Sequence, residues 1–113
     1  MELEERLAAI VKILDENKAE HIEVFNLEGS EYMANGVVLA TAMADRHLLA
    51  LLDYLKQDLK PKGEEFLHVD TSDEWVAIDL GDILVHVMTE SARNKYHMEA
   101  FLQEFEKKKQ ARG

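Results

Sequence analysis

The residues best placed to do chemistry lie in the stretch Trp75-Val76-Ala77-Ile78-Asp79-Leu80-Gly81-Asp82-Ile83-Leu84-Val85-His86-Val87-Met88. At a period of two, Val76, Ile78 and Leu80 share one face of a strand, while Trp75, Ala77 and Asp79 share the other. An indole beside a carboxylate, on a face where burial demands neither, is the chemistry of recognition. The ring fills an apolar hollow on a partner and the acid meets a cation. The competing reading of Trp75 is a plug that seals the sheet against the last helix. Further candidates are Asp82, His86 and the run Asp45-Arg46-His47, which sets an acid, a cation and a titratable ring within one helical turn. The plain alternative for that run is a helix cap followed by surface charge. His86, inside an apolar strand, reads as a hydrogen-bonded core histidine rather than a catalytic group.

These residues do not assemble into a known reactive centre. The five histidines, His21, His47, His68, His86 and His97, are scattered without ligand spacing, so no metal site is predicted. Metal-dependent nucleotidyl transfer needs two carboxylates one residue apart on a strand, because positions i and i+2 share a face. Asp79 and Asp82 miss that spacing, although Gly29-Ser30 superficially matches the Gly-Ser of nucleotidyltransferases. No Walker-type loop or Gly-x-Gly-x-x-Gly is present, and Ser30, Ser72 and Ser91 lie outside any Gly-x-Ser-x-Gly elbow. Neither a catalytic residue nor a cofactor is expected. Two rivals to a recognition protein stay open: a residual nucleotide-binding or nucleotidyltransferase-like domain using Asp79, Asp82 and His86, and a generic dimerisation module that buries the apolar face of the hairpin against a second copy.

At 113 residues the chain is expected to form one domain, residues 1–113, with a single core. Cysteine is absent, which removes disulfides and thiolate chemistry and suits a reducing compartment. No apolar run approaches the roughly 20 residues that span a bilayer. The start, Met1-Glu2-Leu3-Glu4-Glu5, is acidic where a signal peptide is basic, so the expectation is a soluble cytoplasmic protein with no membrane partner. A formal charge of −10 repels phosphate backbones and has the right sign for a basic protein. Direct sequence-specific nucleic-acid binding is therefore not expected. Lys107-Lys108-Lys109 with Arg112 reads as the solvated end of a helix.

The elements that must position the candidates follow from periodicity. Leu3, Leu7, Ile10, Val11 and Leu14 predict an amphipathic helix from 3 to about 16. Ile22, Val24, Phe25 and Leu27 mark a short strand, Gly29 to Asn35 a turn or one-turn helix, and Gly36–Ala42 a buried strand. Leu48, Leu51, Leu52, Leu55 and Leu59 form one face of a helix, with Asp45 as its cap and Pro61 and Gly63 beyond its end. Phe66-Leu67-His68-Val69 reads as a third strand, joined to the Trp75 strand through Asp70-Thr71-Ser72-Asp73. The strands on either side of Gly81-Asp82 form a hairpin, the second of them an inner strand. Ala92, Tyr96, Met98, Phe101, Leu102 and Phe105 predict a last helical region, split near His97 and frayed from about 106. The fold class is α/β (α+β), with a single mixed five-stranded sheet flanked by helices.

Lys18-Ala19-Glu20, Ala40-Thr41, Arg46-His47, Trp75-Val76, Asp79-x-Gly81-Asp82-x-x-Val85-His86-Val87 and Arg93-x-x-Tyr96 together resemble the Iojap family of ribosomal silencing factors, RsfS, over residues 5 to about 105. The segment from Trp75 to Val87 is the most specific part. The resemblance implies a nucleotidyltransferase-like fold without enzymatic activity. It also implies a homodimer when free, binding to the large ribosomal subunit through ribosomal protein fourteen, steric exclusion of the small subunit, and repression of translation when nutrients are short. It carries partner-binding roles onto Trp75, Asp79, Leu80 and Asp82, and a second signature onto Arg46 and His47. The chain departs from the family pattern in four places. Leu80 replaces a tyrosine, Ala44 a helix-capping serine, Asn35-Gly36 an Asp-Tyr pair, and Leu102 a frequent tryptophan. Leu80 cannot supply the tyrosine's hydroxyl to a partner. Losing the capping hydroxyl costs about 1 kcal/mol unless Asp45 replaces it.

Overall fold

A computed structural model describes residues 2–112, with side chains described through residue 109. In chain order the elements are α1 (Leu3–Glu16), β1 (Glu20–Asn26), β2 (Gly36–Ala42), α2 (Asp45–Leu59), β3 (His68–Thr71), β4 (Trp75–Asp79), β5 (Ile83–Thr89), α3 (Glu90–Tyr96) and α4 (Met98–Arg112), with one 3-10 turn at Lys60–Lys62. The strands form one sheet in the order β1-β2-β5-β4-β3. β2 and β5 run parallel, and every other neighbouring pair is antiparallel, so the sheet is mixed. A parallel pair needs a crossover, which α2, β3 and β4 together supply.

The central strands are apolar because both of their faces are covered. Every residue of β2 is buried, and in β5 Ile83, Val85 and Val87 are sealed beneath helices. On one face, Leu7, Ile10 and Leu14 of α1 and Leu48, Leu51 and Leu55 of α2 pack on Val38, Ala40, Val76, Ile78, Val85 and Val87. On the other, Phe25, Val37, Leu39 and Met88 meet Ala92 of α3 and Leu102 of α4. The cover on this second side is partial: α3 packs on β2 and β5, and α4 on β1. β4 and β3 therefore keep one face largely bare.

Several boundaries differ from the sequence expectation for identifiable reasons. Strand β3 starts at His68 and takes in Asp70 and Thr71, which read as loop. It is an edge strand in which only Val69 packs on the core, so polar residues are tolerated and the apolar pattern is misleading. Asp45 is the first residue of α2 rather than its cap. The cap position belongs to Ala44, whose methyl group cannot accept a hydrogen bond, and Nδ1 of His47 accepts the Met43 N–H instead, at 2.9 Å. Helix α4 runs on to Arg112: Phe105 packs on Tyr32, and Nζ of Lys109 donates to the backbone oxygen and Oδ1 of Asn26, each at 3.2 Å. The break between α3 and α4 falls at His97, as the sequence predicts, in the left-handed conformation with φ 47°.

Candidate recognition surface

The bare region is assembled by register. Across β4 and β5, Trp75 lies opposite Met88, Ala77 opposite His86 and Asp79 opposite Leu84. Across β4 and β3, Asp70 lies opposite Ala77 and His68 opposite Asp79. Directly opposed residues share a face, so His68, Asp70, Trp75, Ala77, Asp79, Leu84 and His86 project together. The β4–β5 hairpin that sets this register closes on a two-residue turn, with Gly81 at φ 100°, a conformation that side-chain-bearing residues rarely adopt. Oδ1 of Asp79 accepts the Gly81 N–H at 2.8 Å and holds the turn.

Trp75 is half-buried and its ring is held from two directions. Its Nε1–H donates to Nδ1 of His86 at 3.0 Å, with the ring centroids 5.5 Å apart and the planes at 69°. The ring of Tyr96 lies 5.0 Å from the indole at 47°. An indole nitrogen only donates, so Nδ1 of His86 is unprotonated and the neutral ring carries its proton on Nε2. Burial lowers the His86 pKa from 6.5 to about 4, which keeps the ring neutral. His86 is thus the hydrogen-bonded core histidine the sequence predicts.

Tyr96 reaches the indole because α3 is anchored at both ends. Oγ1 of Thr89 accepts the Ala92 N–H at 3.2 Å and caps its start. Nearer its end, Nη1 of Arg93 donates to the His21 carbonyl at 3.0 Å and to Oγ1 of Thr41 at 3.1 Å, and Nη2 donates to Glu23 at 2.7 Å.

The acids divide into two kinds. Asp79 uses Oδ1 on Gly81, while Oδ2 makes no hydrogen bond to a described residue. Asp70, exposed on the neighbouring strand, pairs with His68 at 3.1 Å. Asp82 is already fully engaged: Arg6 donates from Nη1 to Oδ2 at 2.7 Å and from Nη2 to Oδ1 at 2.9 Å. The same guanidinium binds Glu64 from Nε at 2.8 Å and Nη2 at 2.9 Å. The hydrogen bonds from Arg6 hold the Asp82 carboxyl below its ordinary pKa. Asp82 is therefore a clamp between α1 and the hairpin turn, and a metal-holding pair with Asp79 loses its second carboxylate. Among the described residues, no three histidines or carboxylates converge on a metal position.

Of the residues expected to bind a partner, only Trp75 and Asp79 share the open face. Leu80 points to the closed side and is 6% exposed, so it meets core rather than solvent. His47 joins helices: Nδ1 accepts from Met43, and Nε2 donates to the Asn17 carbonyl at 2.8 Å, just past the end of α1. Arg46 is exposed at the start of α2. Sequence reasoning did not single out His68, Asp70 or the role of His86 as the partner of Trp75. Alternation along β3 was the available signal for the first two, and the boundary error in that strand hid it.

Residues 1–112 match the model of a family described as ribosomal silencing factor during starvation. A ribosomal silencing factor RsfS from Halalkalibacterium halodurans is 29% identical over 101 residues, covering 88% of this chain and 86% of that protein. An Arabidopsis thaliana protein named Iojap-related, mitochondrial, is 29% identical over 100 residues, 83% of this chain and 54% of its own length. A crystal structure of a Chromobacterium violaceum protein superposes with a TM-score of 0.85 at 28% identity, covering 91% of this chain and 88% of that one.

Proposed function

This chain belongs to the family of ribosomal silencing factors, and from that premise we propose that it binds the large ribosomal subunit through the open half of its sheet and keeps the small subunit from joining. The contact is ribosomal protein fourteen of the large subunit, the block is steric, and no catalytic step is involved. Translation is thereby repressed when nutrients are short. The observation that carries this reading is a half-buried indole, set between His86 and Tyr96 on bare sheet beside Asp79 and Asp70. Large aromatic anchors dominate interface energies, and flanking carboxylates select a basic partner and speed its approach. The charge of −10 acts in the same sense over a longer range.

The protein acts where the ribosomes it silences are, which we take to be the cytoplasm. No helix among the described residues is long and apolar enough to cross a membrane. The apolar face of the hairpin, expected to meet a second copy, is covered by α1 and α2 within the chain; in the free protein the open face serves the second copy instead, so dimerisation and subunit binding compete. Size measurement with and without large subunits tests that competition.

The central test is cosedimentation with purified large subunits. Trp75→Ala combined with Asp79→Lys is expected to leave the large-subunit fraction while keeping the wild-type circular dichroism; unchanged sedimentation would refute this surface. Asp79→Lys alone, which leaves the indole in place, is expected to weaken binding and reduce its salt dependence. Magnesium with nucleoside triphosphates is expected to leave the melting midpoint unmoved. A rise would favour nucleotide binding instead.

A further inference from the structure

Trp75 is the chain's only tryptophan, and its only polar group is already used inside the molecule. The indole N–H has one hydrogen to give, and Nδ1 of His86 takes it at 3.0 Å. The two residues stand diagonally across β4 and β5, because Trp75 is opposite Met88 and Ala77 is opposite His86. A methyl group at Ala77 leaves room for the indole to lean toward the imidazole. His86 itself is only 9% exposed, where an unpaired ring nitrogen would be costly. The bond therefore satisfies a buried acceptor and fixes an interface ring at once.

We propose that His86 is a positioning residue for partner recognition: it holds the Trp75 indole in one orientation and takes up its sole donor, so that the partner site receiving the ring is an apolar hollow with no acceptor for the indole nitrogen. This rests on the reading of Trp75 as the anchor. A ring already held in its bound orientation loses little side-chain freedom on docking, an advantage of about five- to tenfold in affinity. The partner in turn sees hydrocarbon at the centre, with Asp79 and Asp70 on the same face selecting basic groups around it.

The test uses the full chain and isolated large subunits, with affinity measured for wild type, W75A, W75F, H86L, H86Q and W75F/H86L. The indole N–H of the single tryptophan is followed by NMR in the free protein. We expect W75A to abolish binding, H86L to weaken it about five- to tenfold, and H86Q, whose amide oxygen can accept, to recover most of the loss. H86L should also shift the indole N–H resonance and speed its exchange with water. In the W75F background H86L should have no further effect, since phenylalanine has no N–H to position. An H86L variant that binds like wild type, or that weakens W75F by the same factor as wild type, overturns the proposal while W75A still reports on the anchor. If W75A binds like wild type, the anchor reading falls and this proposal with it. An indole N–H that exchanges at the free rate in the unaltered protein overturns the proposal whether or not any variant folds.

Discussion

The two faces of β4 carry residues only one position apart yet belong to different regimes. Val76, Ile78 and Leu80 lie under α1 and α2 at 0%, 1% and 6% exposure, whereas Trp75, Ala77 and Asp79 are half-exposed on the opposite side. Their polar groups follow the same division. On the closed side Arg6 binds both Glu64 and Asp82, and these side chains answer one another. On the open side Asp79 keeps an oxygen without a described partner, and Tyr96 is 47% exposed beside the indole. Charge alone does not mark a working surface. Among the carboxylates of the hairpin, Asp82, with both oxygens bound to Arg6, holds the fold, and Asp79, with one oxygen left over, can meet a partner.

That division can be broken from the closed side first. Ile78→Ala, which empties a site 1% exposed, should cost about 4 kcal/mol of stability by urea unfolding. If the loss were below about 1 kcal/mol, the cover by the helices would be looser than an exposure of 1% implies. Arg6→Ala comes next, at about 3 kcal/mol, because Glu64, with its side chain only 7% exposed, is left buried without its cation. Replacing Arg6 together with its buried partner, Arg6→Met with Glu64→Leu, should recover most of that loss, because Asp82, with its side chain 43% exposed, stays hydrated without the guanidinium.

Acid should weaken both sides. Folded His86 stays neutral down to about pH 4, but the unfolded chain takes up that proton near its ordinary 6.5. The unfolded state binds more protons across that window, so stability falls as the pH drops from 6.5 to about 4, by up to about 3 kcal/mol, and levels off below. The contribution of Asp82 runs the same way at lower pH: it is present above the ordinary carboxyl range and is lost as its depressed folded pKa is crossed. Urea midpoints across this range should fall in wild type and flatten between pH 6.5 and 4 in H86L. A wild-type curve that is already flat there would contradict a buried neutral imidazole. The smallest effect should come from Thr89→Ala, which removes the cap of α3, at about 1 kcal/mol, with faster amide exchange at Ala92 as the local readout.

Much of the fold is legible along the chain because its signals are local. The alternation from Trp75 to Leu80, the leucine stripe from Leu48 to Leu59, and the apolar run of β5 each report burial at their own positions. Edges are less legible, since an edge strand needs few apolar residues; β3 begins at His68, two residues beyond the start its apolar pattern predicts, for that reason. The candidate site was half legible. Trp75 and Asp79 share a face by periodicity alone, but Leu80 and Asp82, their near neighbours in sequence, point elsewhere or are already bound.

What the amino-acid sequence determined on its own was the set of elements, the two-sided character of β4 and an acidic balance suited to a basic partner. Local spacing and charge are properties of the chain before it folds. Only the tertiary structure decided which face stays open and which polar groups remain available. Those outcomes depend on where α3 and α4 come to rest, and on pairings such as Arg6 with Asp82 or Arg93 with Glu23, which join residues 76 and 70 positions apart and leave no local pattern.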